Sequence, residues 1–168
     1  MAENAWQTYA DQVLNRFDYD TNDWAITAVN SGAAIYGHDG TLWASAGTEG
    51  SNLTTYQHPM EGLDGTMTNV EVNEVACALA ACDGNKRPTE AGIRLAGQKM
   101  MLTYKEPEAA VAQLTRGGGG VVVGKTASAL VVGFWKKDQV DSSGKPQSMD
   151  ACFKLVKEMT DYLIEQGY

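Results

Sequence analysis

The apolar positions of this chain change period several times, and each change marks an element. Over Ser148–Tyr168 they recur at Met149, Cys152, Val156, Met159 and Leu163. Spacings of three and four make one stripe along an α-helix. Lys154, Glu158, Asp161 and Glu165 fall on its opposite side, and Tyr162 lies on neither stripe. Pro146 closes the preceding loop, and Ser148 is the expected N-cap. A second helix is expected over Ala5–Leu14, where Trp6, Tyr9, Ala10 and Val13, extending to Phe17, share a broad apolar face. On that pattern alone Trp6 and Tyr9 read as core.

Between these helices the pattern is mostly strand-like. After the acidic turn FDYDTND, Trp24–Val29 reads as a short helix ended by Asn30-Ser31-Gly32. Ala33–Tyr36 and Thr41–Ala46 flank Gly37-His38-Asp39-Gly40, a hairpin signal with Trp43 in its second strand. His38 and Asp39 are accounted for as turn residues. Residues 47–67 are polar and Gly-rich without a sustained period, as expected of a long surface loop or insertion that could carry a little structure of its own. Thr68-Asn69-Val70-Glu71 matches a capping box, and Val72, Val75, Ala76 and Leu79 continue it as a helix to about Cys82. Beyond Pro88, strands are expected at Gly92–Leu95, Gln98–Tyr104, Ala109–Leu114, Gly120–Thr126 and Ser128–Trp135. Terminal helices, one middle helix and several short strands make an α+β fold with an antiparallel sheet.

At 168 residues and 43% apolar, the chain is expected to form one domain with a full core. Thirteen Lys and Arg against 21 Asp and Glu leave a net charge of −8, the wrong sign for bulk nucleic-acid binding or strong adsorption to anionic membranes. Neither a signal peptide nor a long apolar run is evident. Cys77, Cys82 and Cys152 are an odd number without metal-like clustering, which fits free thiols in a reducing cytosol. Without a secretory signal, the sequon at Asn52-Leu53-Thr54 has no assigned role.

One motif points to a different chemistry. Gly119–Thr126 satisfies the phosphate-loop pattern G-x-x-x-x-G-K-[ST]. That chemistry needs a curled loop whose amides cradle phosphate and a helix starting at the Lys. Three consecutive valines favour extended backbone instead, and the following residues are again strand-like. No nucleophile elbow, His-rich metal set or Cys and His ligand cluster is present, so no catalytic or metal residue and no cofactor is assigned. The balance favours a binding protein over an enzyme, with a small nucleotide-binding protein using Gly119–Thr126 as the alternative.

Five stretches, in order along the chain, resemble the profilin family of actin-monomer-binding proteins. They are Trp6-Gln7-Thr8-Tyr9, Gly37–Ala44 (GHDGTLWA), Leu95–Lys99 (LAGQK), Gly124–Ala127 through Gly133, and Asp161–Tyr168 (DYLIEQGY). The last is similar to the ending of plant-like members. The resemblance implies one profilin domain over residues 1–168, with a central antiparallel sheet of six or seven strands. The N- and C-terminal helices would lie on one face and further helices on the other. It also implies two surfaces. Trp6, Tyr9, Trp43, Tyr162 and Tyr168 would line a groove for proline-rich peptides, which turns Trp6 and Tyr9 from core into exposed residues. Lys99, Arg116, Lys154 and Glu158 would contact monomeric actin. The implied function is regulation of actin polymerisation and nucleotide exchange, with delivery of actin to proline-rich elongation factors such as formins, in the cytoplasm and at the cytoskeleton. Phosphoinositides are a further family ligand, weakened here by the charge of −8; a phosphoinositide sensor with little actin binding is a third reading. Residues 47–67 make the chain longer than a typical member, and residues 15–31 depart from the common pattern.

Overall fold

A computed structural model describes residues 5–168. In chain order the elements are α1 (Ala5–Leu14), β1 (Arg16–Asp18), β2 (Asp23–Ile26), β3 (Gly32–Gly37), β4 (Leu42–Gly47), β5 (Thr55–Glu61), β6 (Met67–Asn73), α2 (Glu74–Cys82), β7 (Ile93–Leu95), β8 (Gln98–Lys105), β9 (Val111–Arg116), β10 (Gly119–Lys125), β11 (Ala129–Lys136) and α3 (Met149–Glu165). Seven strands form one sheet in the order β4-β3-β11-β10-β9-β8-β7, every neighbouring pair antiparallel. α1 and α3 pack against one another and against one face. α2 covers the other, so the expected α+β arrangement is the observed one.

Helices on both faces explain why β10 and β11 read as continuous apolar runs. Val121 and Val123 point into the α2-side core and Val122 into the α1/α3-side core, and all three are fully buried. The same packing accounts for Gly124 of the phosphate-loop pattern and for Gly133, which pairs with Val122 from β11. A Cβ on Gly124 would lie 2.0 Å from Thr160 Oγ1 of α3, and one on Gly133 would lie 2.8 Å from Val156 Cγ2. The missing side chains let the helix seat on the sheet. Lys125 pairs with Asp83 at 2.8 Å. Thr126 Oγ1 accepts from the Ala129 amide at 2.9 Å and so ties the β10–β11 turn. Residues 119–125 are an extended strand paired on both edges, with no helix after them. The amides that a phosphate would need are committed to the sheet, which overturns the nucleotide alternative.

Three local expectations are corrected. Trp24–Val29 is not a helix: Asp23–Ile26 is strand β2, with Trp24 opposite Phe17 across a turn whose Asn22 adopts φ 54°. The capping box at Thr68–Glu71 is strand β6 instead. Val70 and Val72 alternate with exposed Asn69 and Glu71, so period two prevails. The cap of α2 is Asn73, whose Oδ1 accepts from the Ala76 amide at 3.1 Å. Residues 47–67 are not a plain loop, because β5 pairs with β6 over its whole length as a separate hairpin. Its alternation of half-buried Tyr56, His58 and Met60 with exposed Gln57 and Pro59 is disguised by polar and proline residues. The root of this hairpin is held by the buried carboxylate of Glu74. It accepts from the amides of Thr54 (3.0 Å) and Gly97 (2.9 Å) and from the Tyr56 hydroxyl (3.4 Å).

Candidate functional site

The five aromatic residues expected to form a groove come from four places in the chain and meet in one cluster. Trp6 is central. Its ring centroid lies 4.6 Å from Trp43, 4.8 Å from Tyr168 and 5.6 Å from Tyr9. Tyr9 continues the cluster to Tyr162 at 5.5 Å. Most contacts are edge-to-face, the arrangement that the ring quadrupoles favour. Trp6, Tyr9 and Trp43 are half-buried, with Trp6 and Tyr9 packed on the α1/α3-side core, while Tyr162 and Tyr168 are about 40% exposed. The two sequence readings of Trp6 and Tyr9 therefore each describe one side of the ring.

Local chemistry sets each ring in place. α1 is tied to β4 by Gln7, whose Nε2 donates to the Ser45 carbonyl at 2.9 Å. Trp43 sits in a β-bulge: Ile35 pairs with Ala44 and Tyr36 with Leu42, so Trp43 is the extra residue. Bulges re-aim side chains, and here the indole crosses back over β3. Gly37 makes that possible, because a Cβ there would stand 3.0 Å from the indole. The Asp39 carboxylate accepts from the Thr41 amide, which lowers its pKa and stiffens the preceding turn. At the other end, α3 closes in a Schellman motif. The Tyr168 amide donates to Leu163 and the Gly167 amide to Ile164, both at 3.0 Å, with Gly167 at φ 89°. This reversal carries Tyr168 onto Trp6. Hydrogen bonding with Tyr162, then burial, raises the pKa of Tyr9 above the usual phenol range. Its proton stays in place at neutral pH.

The second set of expected residues is less compact. Lys154 and Glu158 stand one turn apart on the exposed stripe of α3. Lys99 and Arg116 line one cleft of about 600 Å³ at the end of the sheet, together with Lys86 and Arg87. Met101 stands opposite Thr115, so Lys99 shares the sheet face of Met101 whereas Arg116 shares that of Leu114. Arg116 therefore reaches the cleft from the opposite face, around the sheet's end. An exposed apolar strip adjoins the α3 stripe: Tyr104 of β8 meets Phe153 of α3 at 5.8 Å, and Met101 is 69% exposed. Lys157 and Asp161 close an i,i+4 pair at 2.7 Å on the same helix.

The profilin family model matches residues 4–168. The chain belongs to the profilin family. Solved profilins share its architecture at low identity. Acanthamoeba castellanii profilin II is 23% identical with a TM-score of 0.58, and the match covers 98% of this chain and 100% of that one. Schizosaccharomyces pombe profilin is 22% identical with a TM-score of 0.57, over 98% and 100%. Mouse profilin IIa, solved in complex with a double repeat from the FH1 domain of mDia1, is 17% identical with a TM-score of 0.58, over 98% and 99%.

Within this profilin fold the five aromatic residues named by the motifs do cluster, but the residues that aim them carried no assigned role. Gln7, Gly37 and Gly167 have no aromatic signature. The one available signal was a glycine directly before a terminal aromatic. Tyr104 and Phe153 were also missed, since each sits in an element whose alternation assigned it no role. Among the described residues no group of three or more His, Cys, Asp or Glu could hold a metal ion, and no helix is long and apolar enough to cross a membrane.

Proposed function

We propose that this member of the profilin family binds proline-rich peptides in the aromatic groove and monomeric actin on the α3–β8 side. The observation that carries the reading is the convergence of Trp6, Tyr9, Trp43, Tyr162 and Tyr168 on one accessible surface. A polyproline II segment is already extended, with about three residues per turn and no internal hydrogen bonds, so it loses little entropy on docking. Flat rings cover its pyrrolidines. Indole N–H and phenol O–H groups satisfy carbonyls that have no partner within the peptide. The Tyr9–Tyr162 hydrogen bond uses one of the two hydroxyl protons and leaves the other for a peptide carbonyl. The mouse profilin IIa complex with an FH1 double repeat supports the same ligand class here.

For actin, family membership is the main support. Lys154 and Glu158 offer charged contacts, Tyr104 and Phe153 offer apolar area beside them, and Lys99 with Arg116 extends the surface at the sheet end. One face takes actin while the groove between α1, β4 and the end of α3 takes a proline-rich elongation factor. The two partners are thereby brought together without competition. Regulation of polymerisation and nucleotide exchange, delivery of actin to formin-type factors and a cytoplasmic, cytoskeleton-associated location follow from that scaffold. Anionic phosphoinositide headgroups are a weaker ligand class, drawn to the Lys86, Arg87, Lys99 and Arg116 cleft against a net charge of −8.

The test is a tryptophan-fluorescence titration with a peptide of about ten prolines, a length that spans roughly three turns of polyproline II. A saturable change that disappears in Trp6→Ala is expected. An unresponsive, folded wild-type protein would remove the peptide arm of this reading.

A further inference from the structure

A second group of aromatic rings lies outside the groove. Phe17 of β1 is flanked by Tyr19 at 5.0 Å and by Trp24 of β2 at 5.2 Å, both edge-to-face. None of the three belongs to either core. The Phe17–Trp24 contact is a cross-strand pair and helps to hold the hairpin together. That does not account for Tyr19, which extends past the pair and is 76% exposed, nor for leaving Trp24 37% exposed. The rings are spaced as in the groove, where neighbours stand 4.6–5.6 Å apart.

The surroundings differ from the groove in charge. Asp18, Asp20 and Asp23 accompany the three rings within a single hairpin, against one cation, Arg16. Asp18 Oδ1 is used in the turn, where it accepts from the Asp20 amide at 2.9 Å, and Asp23 Oδ1 accepts from the Trp24 amide at 2.8 Å. Asp20 and Asp23 are exposed and Asp18 is half-buried. The hairpin is anchored to the body by the Thr27 amide on Ser142 Oγ (2.9 Å) and the Ala28 amide on Asn15 Oδ1 (2.8 Å). It is thus a fixed platform rather than a loose tail.

We propose that the β1–β2 hairpin is a second peptide platform, selective for proline-rich segments that carry Arg or Lys. Pyrrolidine rings pack on the exposed faces of Tyr19 and Trp24, and a guanidinium or ammonium gains both a ring face and the carboxylates. The same carboxylates repel anionic lipid and acidic peptides. The site is chemically independent of the groove at Trp6, so it stands or falls by itself.

Calorimetric titrations with two peptides test it: ten prolines, and a proline run of the same length with two interspersed arginines. For the wild type, the arginine peptide is expected to fill two sites per chain and decaproline one. Tyr19→Ser and Asp20→Asn, exposed positions whose change leaves the fold intact, are each expected to weaken the second site on the order of tenfold and leave decaproline unchanged. In Trp6→Ala the arginine peptide should retain one site, weakened as salt rises from 50 to 300 mM. A single site for the arginine peptide in the wild type that Tyr19→Ser leaves unchanged overturns the proposal, as does a second site indifferent to Tyr19→Ser and Asp20→Asn. Loss of decaproline binding by the wild type, with arginine-peptide binding kept and sensitive to Tyr19→Ser, would instead overturn the groove and leave the hairpin platform standing.

Discussion

The indole of Trp6 and the phenol ring of Tyr168, from opposite ends of the chain, meet with centroids 4.8 Å apart and planes inclined by 66°. The contact depends on Gly167, whose left-handed backbone turns the chain back after α3. Gly167→Ala leaves the ring chemistry untouched but strains that turn by about 1 kcal/mol. We expect a small drop in thermal stability, with affinity for decaproline falling severalfold as Tyr168 leaves Trp6. Unchanged affinity would show that Tyr168 does not contribute to the groove.

Trp6→Ala and Lys154→Glu should separate the two surfaces. Trp6 touches three of the other four groove rings, so its truncation should weaken decaproline at least tenfold, with actin binding nearly intact. Lys154→Glu reverses a charge on the exposed stripe of α3, away from the rings, and should weaken actin binding while sparing decaproline. Monomer-sequestration assays beside peptide titrations read both. Strong actin binding by Lys154→Glu would remove that residue from the actin surface.

Glu74 is the support of the β5–β6 hairpin. Glu74→Ala leaves the Thr54 and Gly97 amides without their acceptor, and unmet buried hydrogen bonds cost about 1–3 kcal/mol each. We expect destabilisation on the order of 2–4 kcal/mol in urea unfolding, together with faster amide exchange across residues 55–73. Exchange that stays slow there would mean that the side-chain packing of Tyr56, Met60 and Val72 holds the hairpin without the carboxylate.

Burial pushes the Cys82 thiol up to about 12 and raises that of Cys152 further. Both stay protonated in the folded chain while the unfolded chain ionises near pH 9. Above that pH the unfolded state binds fewer protons, so stability is complete below pH 9 and is lost as pH rises toward 12. Each thiol contributes a slope of up to about 1.4 kcal/mol per pH unit. Denaturant midpoints measured from pH 8 to 10.5 should fall, and less steeply in Cys82→Ala and Cys152→Ala. At pH 8, thiol labelling of the native protein should proceed only through opening of the fold.

The sequence by itself determined the elements whose patterns are one-sided or continuous. The α3 stripe of Cys152, Val156, Met159 and Leu163 is buried as its spacing requires, with Ser148 as its N-cap. The valine strands β10 and β11 lie where their composition places them. Ordered motifs also named the five rings that cluster around Trp6 and Tyr9. Local patterns failed where another period overlapped them. At Thr68–Glu71 a capping-box signature coincides with the alternation of Val70 and Val72, and only pairing with β5 decides between helix and strand. At Gly119–Thr126 the letters of a phosphate loop are satisfied, yet Gly124 is small because Thr160 lies against it. The tertiary structure alone brought Trp6, Trp43 and Tyr168 together, through the bulge at Trp43, the close approach at Gly37 and the reversal at Gly167. It also put Lys99 and Arg116 on opposite faces of the sheet end. Periodicity reports which side of an element meets a core. Which exposed side chains meet each other depends on strand order and on turns at single residues, and those are decided only when the whole sheet closes.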